Sequence, residues 1–125
     1  MALQNWEQSF RFLVQQSRLL LPYPAQLRDP AHQVHGCEAK VWLALEPLSD
    51  GRVNVWLDSE SRIVRGLLAM LQQATHQQLA SEIASQNLWQ VYAAQALPQH
   101  LSPSRIKGVQ AVISELQRQL QQAQS

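Results

Sequence analysis

The sequence predicts an α+β fold, a small antiparallel β-sheet with helices packed around it. Three observations carry this. Val41, Leu43 and Leu45 alternate with Lys40, Trp42 and Ala44, and Val53, Val55 and Leu57 resume the alternation after Ser49-Asp50-Gly51, the period-two pattern of a hairpin. On both sides of that hairpin, apolar residues recur in steps of three and four, the helical period. Finally, 125 residues with 46% hydrophobic content make one domain, residues 1–125, large enough for a core without disulfide or metal staples.

The elements follow in order. Asn5 can cap a helix and Gln8 stands at the capping-box position, so a helix is predicted from about residue 5 to residue 20, with Trp6, Phe10, Leu13 and Val14 as its apolar stripe. Pro22, Pro24 and Pro30 then mark an irregular crossing segment. The hairpin comes next and ends at Asp58. From Ser59 to about Gln73, Ile63, Val64, Leu67, Leu68, Met70 and Leu71 form a wide helical face. Gly66 lies in the middle of it, at a cost of roughly 1 kcal/mol against Ala, which predicts close approach of a neighbouring backbone.

Thr75-His76-Gln77-Gln78 has capping-box spacing and predicts the opening of a shorter helix. Leu88, Trp89, Val91, Tyr92 and Leu97 predict one or two short helices stopped by Pro98. Ser102-Pro103 is a strong start, with Ser as cap and Pro at the first helical position. Ile106, Val109, Ile113, Leu116 and Leu120 continue that helix, and the Gln-rich tail 117–125 is expected to fray.

Composition excludes several classes. Lys and Arg number 10 against 9 Asp and Glu, so no broad basic field exists to neutralise phosphates, which argues against nucleic-acid binding as the main role. The single cysteine, Cys37, rules out an internal disulfide, a Cys-x-x-Cys pair and an all-cysteine metal site. A lone thiol fits a reducing compartment. No basic start leads into an apolar stretch, and no run is long enough to span a bilayer, so a soluble cytoplasmic protein without a membrane partner is expected.

Cys37 is the first candidate for chemistry. It follows Gly36 and precedes a strand, so a loop presents it at the edge of a packed element. It can serve as a small buried hydrophobe, or as a nucleophile if cations or a helix N-terminus give it thiolate character. His32, His35 and Lys40 lie close in sequence, while Glu38 opposes them. His32, His35 and Cys37 are metal-ligand types, yet they lack an evident fourth ligand, and no metal is expected.

Arg105 is the second candidate. With Ser102 as cap it falls in the first helical turn, where the macrodipole disfavours a cation. It therefore needs a compensating partner: either it pairs with Asp58 or Glu60 within the chain, or it is aimed at the reactive loop or at an acidic group of a docking protein. Asp58 and Glu60 themselves are explained by their place before a helix.

These residues resemble a known family. His35-Gly36-Cys37-Glu38-Ala39-Lys40-Val41-Trp42-Leu43 is similar to the Gly-Cys-x-x-x-Val-Trp segment of SufE-type sulfur acceptors, nearest the CsdE branch. The similarity runs through Asp58-Ser59-Glu60 and Ile63-Val64-Arg65-Gly66-Leu67. It returns at His100-Leu101-Ser102-Pro103-Ser104-Arg105, with Gly108 after it. Asn5-Trp6-Glu7 and Leu21-Pro22 match the upstream helix and its exit. Each motif is modest alone; four in order, spanning about Asn5 to Leu116, are specific.

The resemblance implies a SufE/IscU-like fold. It also implies a carrier that takes persulfide sulfur from a cysteine desulfurase, stimulates that enzyme and passes sulfur toward iron–sulfur cluster assembly. Such a protein is a transfer partner and completes no turnover alone. Cys37 is then the persulfide acceptor, Arg105 matches an arginine near the desulfurase-facing surface, Glu60 matches an acidic position, and Gly36 and His35 flank the acceptor. No cofactor of its own is implied; pyridoxal phosphate belongs to the partner desulfurase, and a downstream scaffold or other acceptor completes the set.

Two departures stand out. Family members often carry a further helix before the Trp-Glu segment, and many read Gln-Ser where positions 38 and 39 here read Glu-Ala. The loop is further expected to tuck Cys37 against Val34, Val41 or nearby core residues, with Gly36 as a hinge. The competing functional readings are a single-cysteine thiol redox enzyme and a non-catalytic helical interaction module.

Overall fold

Asn5 caps the first helix as its chemistry dictates: its side-chain oxygen accepts the Gln8 backbone N–H at 2.8 Å. The helix, α1, spans Trp6–Ser17 in a computed structural model that describes residues 4–124. Its apolar stripe divides. Leu13 is buried, while Trp6 and Phe10 are 57% and 42% exposed and stack on each other at 5.3 Å. Periodicity marks which residues share a face, but α2 reaches only part of that face.

Two short 3-10 turns, Ala25–Leu27 and Pro30–His32, carry the chain through the proline-rich crossing. Strand β1 (Val41–Pro47) then pairs antiparallel with β2 (Arg52–Ser59), in a register that sets Val41 against Ser59 and Pro47 against Val53. Gly51 takes φ +88° in the connecting turn, a conformation that favours glycine. Trp42 and Ala44, on the face opposite Val41 and Leu43, are also buried. The crossing segment explains Trp42: Gln33 bridges to it, and the Arg28 guanidinium lies 4.5 Å from its ring centre.

Helix α2 (Arg62–Thr75) starts on a Ser61 cap and lays its apolar face on the sheet. The expectation at Gly66 is met: a Cβ there would sit 2.2 Å from the Leu13 carbonyl oxygen, so α1 and α2 touch backbone to backbone. The helix predicted to open at Thr75 does not do so. The Thr75 hydroxyl donates back to the Leu71 carbonyl within α2 (2.8 Å), and the Val55 N–H donates to His76 Nδ1 (3.0 Å) at the sheet. Gln77 then turns at φ +63°, and Gln78–Leu79 form β3 on the outer side of β2.

Helix α3 (Ala80–Ser85), α4 (Gln90–Ala93) and a 3-10 turn at Leu97–His100 complete the crossover, with Pro98 inside that last turn. Tyr92 is fully buried and donates its hydroxyl to the Leu67 carbonyl at 2.7 Å. Helix α5 spans Pro103–Gln124. In the Gln-rich end Leu120 is buried and the Gln117 amide donates to the Ile83 and Gln86 carbonyls. Ser125 lies outside the described residues. No helix of the described residues is long and apolar enough to cross a membrane.

Candidate functional site

The segment between the second 3-10 turn and β1 folds back on itself. The Val34 N–H donates to the Val41 carbonyl at 2.8 Å, so residues 35–40 form a loop closed at its base. Gly36 takes φ +94° there, and a Cβ on it would meet Ala111 of α5 at 3.4 Å. That turn aims Cys37 at α5. Its thiol is half-buried and lies 3.5 Å from the Gly108 carbonyl oxygen, within reach of an S–H donor.

Gly108 leaves the helix surface bare under the cysteine. Beside it opens a cleft of about 90 Å³, walled by Ala39, Val41, Val64, Leu68, Val109 and Val112, with Glu38, Ser61, Ser104 and Arg105 adding polar groups. A cavity needs only some 10–15 Å³ by this measure to hold a water. The cleft therefore has room for an atom the size of sulfur attached to Cys37. The Ser104 hydroxyl donates to Glu38 Oε2 at 2.6 Å, fastening the loop to the start of α5 across 66 residues of sequence.

Burial pushes the Cys37 pKa up from its ordinary value. The cations near it in sequence do not offset this. Lys40 is exposed, and His35 is exposed on a different cleft, beside Glu115 and Arg118. The Arg118 guanidinium holds the Glu115 carboxyl down at about 2. His32 Nδ1 is 2.7 Å from Asp29 Oδ1, so the three metal-ligand types in this region do not converge. Among the described residues no cluster of His, Cys, Asp and Glu could hold a metal ion.

Arg105 forms a wall of the Cys37 cleft and faces a second groove beyond it. Neither internal partner expected for it is used. Asp58 pairs with Arg28 and with Arg65, and Glu60 is exposed, its N–H donating to the Lys40 carbonyl. Among the described residues no ion pair or side-chain hydrogen bond engages the Arg105 guanidinium; its backbone N–H donates to the Ser102 cap. The geometry thus gathers Gly36, Cys37 and Arg105 around α5 and leaves His35 and Glu60 outside the cleft.

Sequence reasoning did not anticipate Ser61, Val64 and Leu68 as cleft residues, nor the Glu38–Ser104 clasp. Gly108 carried a readable signal, since a glycine inside a helix implies close approach just as Gly66 does.

The fold has solved counterparts. A solution structure of a hypothetical protein from Thermus thermophilus superposes with a TM-score of 0.77 over 97% of this chain and 87% of its own, at 18% identity. It shows that the α+β architecture recurs. A family model described as SufE, Fe-S metabolism associated domain, matches residues 1–120. With nearly the whole chain matched, the protein belongs to the SufE family, a family associated with iron–sulfur metabolism.

Proposed function

We propose that this chain is a sulfur carrier: it takes a sulfane sulfur from the persulfide of a pyridoxal-phosphate cysteine desulfurase onto Cys37, stimulates that enzyme, and yields the sulfur to an iron–sulfur scaffold or another acceptor. The observation that carries the proposal is Cys37 at the mouth of an apolar cleft large enough for one more sulfur, its S–H pointing to the Gly108 carbonyl.

The transfer balances without an external redox partner. The Cys37 thiolate attacks the outer sulfur of the donor Cys–S–SH. The donor's S–S bond breaks as the Cys37 S–S bond forms, and the donor cysteine leaves as a thiolate that takes up the proton Cys37 released. Only a thiolate reacts, and the resting site favours the thiol by burial. In the free protein Cys37 is therefore guarded from oxidation. Docking draws it outward about Gly36, whose positive φ suits a hinge, and relieves the burial. Arg105 receives an acidic group of the docked partner, and Glu60 and His35 lie on the surrounding surface.

The raised thiol pKa counts against the redox-enzyme alternative, which needs an activated thiolate at rest. The proposal is tested by incubating the protein with a cysteine desulfurase and cysteine. Mass spectrometry should then find a gain of one sulfur, about 32 Da, on Cys37 and none in Cys37→Ser. A wild-type protein that never gains this mass overturns the proposal.

A further inference from the structure

Arg105 separates two concavities, and the second has no part in the sulfur chemistry described above. It lies between α1, the start of α2 and the 3-10 turn before α5, and is lined by Trp6, Phe10, Leu13, Ile63, Leu101 and Arg105, with Ser9 and His100 also on its wall. Two features mark it as unfinished. Trp6 and Phe10 stand stacked and open to solvent at its rim. Ser9 Oγ and His100 Nε2 are closed to water without any hydrogen-bond partner, an uncommon state for buried polar atoms.

We infer that this groove is the anchor point for the desulfurase, taking one apolar side chain of that partner with a carboxylate next to it. The inference rests on the sulfur-carrier reading and adds where the donor grips. Three observations select the occupant. The groove holds only about 50 Å³, the size of a side-chain tip and far below the ~300–1,000 Å³ of small-molecule pockets. Its walls are aromatic and aliphatic, which suits an apolar group. The guanidinium of Arg105, free of any ion pair among the described residues, supplies the complementary charge for a carboxylate.

Continuity supports the identity of the partner. The same arginine walls the Cys37 cleft, so a protein seated in the groove lies on the other side of one shared side chain from the cleft that holds the thiol. Exposed aromatic anchors of this kind carry much of the binding energy in protein interfaces.

The test pairs a variant with a measurement on the unaltered protein. Trp6→Ala/Phe10→Ala, checked by thermal unfolding, should bind a cysteine desulfurase at least about tenfold more weakly than wild type in calorimetry. In the wild-type complex, amide exchange should slow at residues 6–10 and 100–105 relative to the free chain. Binding within twofold of wild type, or unchanged exchange in those segments while Cys37 still gains its sulfur, overturns the groove assignment and leaves the sulfur-carrier reading standing. A wild-type dimer in sedimentation that the double variant converts to monomer assigns the groove to a second copy and also overturns it. If wild type neither binds desulfurase nor gains the sulfur, both readings fall.

Discussion

Two helical glycines of this protein receive neighbours in opposite ways. At Gly66, α1 presses its backbone so close that a methyl group would overlap the Leu13 carbonyl at 2.2 Å. At Gly108 the Cys37 loop rests on α5 with ordinary spacing, and a methyl group would sit 3.7 Å from the sulfur. The first contact is a joint between two rigid helices. The second is a loop set down on a helix and held there by few bonds: the Ser104–Glu38 hydrogen bond and the weak thiol contact to the Gly108 carbonyl. The frame around Cys37 is thus fixed while the loop that bears it is lightly held, the division that the proposed carrier role needs if the thiol is to be sheltered alone and offered to a partner.

The most severe way to break this division is at the joint. Gly66→Ala gains helix propensity of up to about 1 kcal/mol. The overlap with backbone nevertheless forces α1 away from α2, and such overpacking costs about 1–3 kcal/mol or more. We expect a net loss above about 1 kcal/mol, read as a lower midpoint in urea unfolding. A Gly66→Ala protein as stable as wild type would show that α1 moves freely, and the fixed frame would be lost as an explanation.

The next effect is smaller and falls on the loop. Ser104→Ala removes the clasp to Glu38, an exposed hydrogen bond that contributes about 0.5–1.5 kcal/mol at most. Global stability should hardly move. Cys37 should become more accessible, and its alkylation by iodoacetamide should accelerate several-fold at a given pH. The sign with pH is determined by burial: the thiol pKa is raised, so wild-type alkylation climbs at higher pH than that of a free cysteine, and Ser104→Ala shifts the profile downward toward it. An unchanged profile would mean that the clasp does not govern exposure of the thiol.

How much of this was legible in the sequence depends on the range of each interaction. The hairpin announces itself by alternation, and Gly66 by its place in an apolar helix. The caps at Asn5, Ser61 and Ser102 involve partners three residues away, and those at Asn5 and Ser102 are readable from the sequence. By contrast, Thr75-His76-Gln77-Gln78 has the letters of a capping box, yet a tertiary contact from His76 to Val55 commits the segment to the sheet. A two-residue strand such as β3 has no periodicity to detect. The division of α1, with Leu13 inside and Trp6 and Phe10 outside, depends on how far α2 extends beside it. At the site, Cys37, Gly36 and Arg105 stand out by local context. The clasp between Glu38 and Ser104 joins positions 66 residues apart and leaves no local trace. His35 is a candidate only by its nearness in sequence, and the turn at Gly36 sends it to another face of the molecule.

The mildest substitution sharpens the comparison most, because there the two glycines make opposite predictions from one change. Gly108→Ala adds a methyl group at ordinary contact distance from Cys37 and removes the backbone freedom that disfavours glycine in a helix. Stability should be equal to wild type or higher by about 0.5–1 kcal/mol, the reverse of Gly66→Ala. The new methyl also lies against the Cys37 side chain, so alkylation should change by no more than a small factor. Urea unfolding of the two variants side by side reads the difference directly. If Gly108→Ala costs as much as Gly66→Ala, the loop is gripped as tightly as the helix joint, and a cover that lifts on docking would have to be replaced by a site that reacts as it stands.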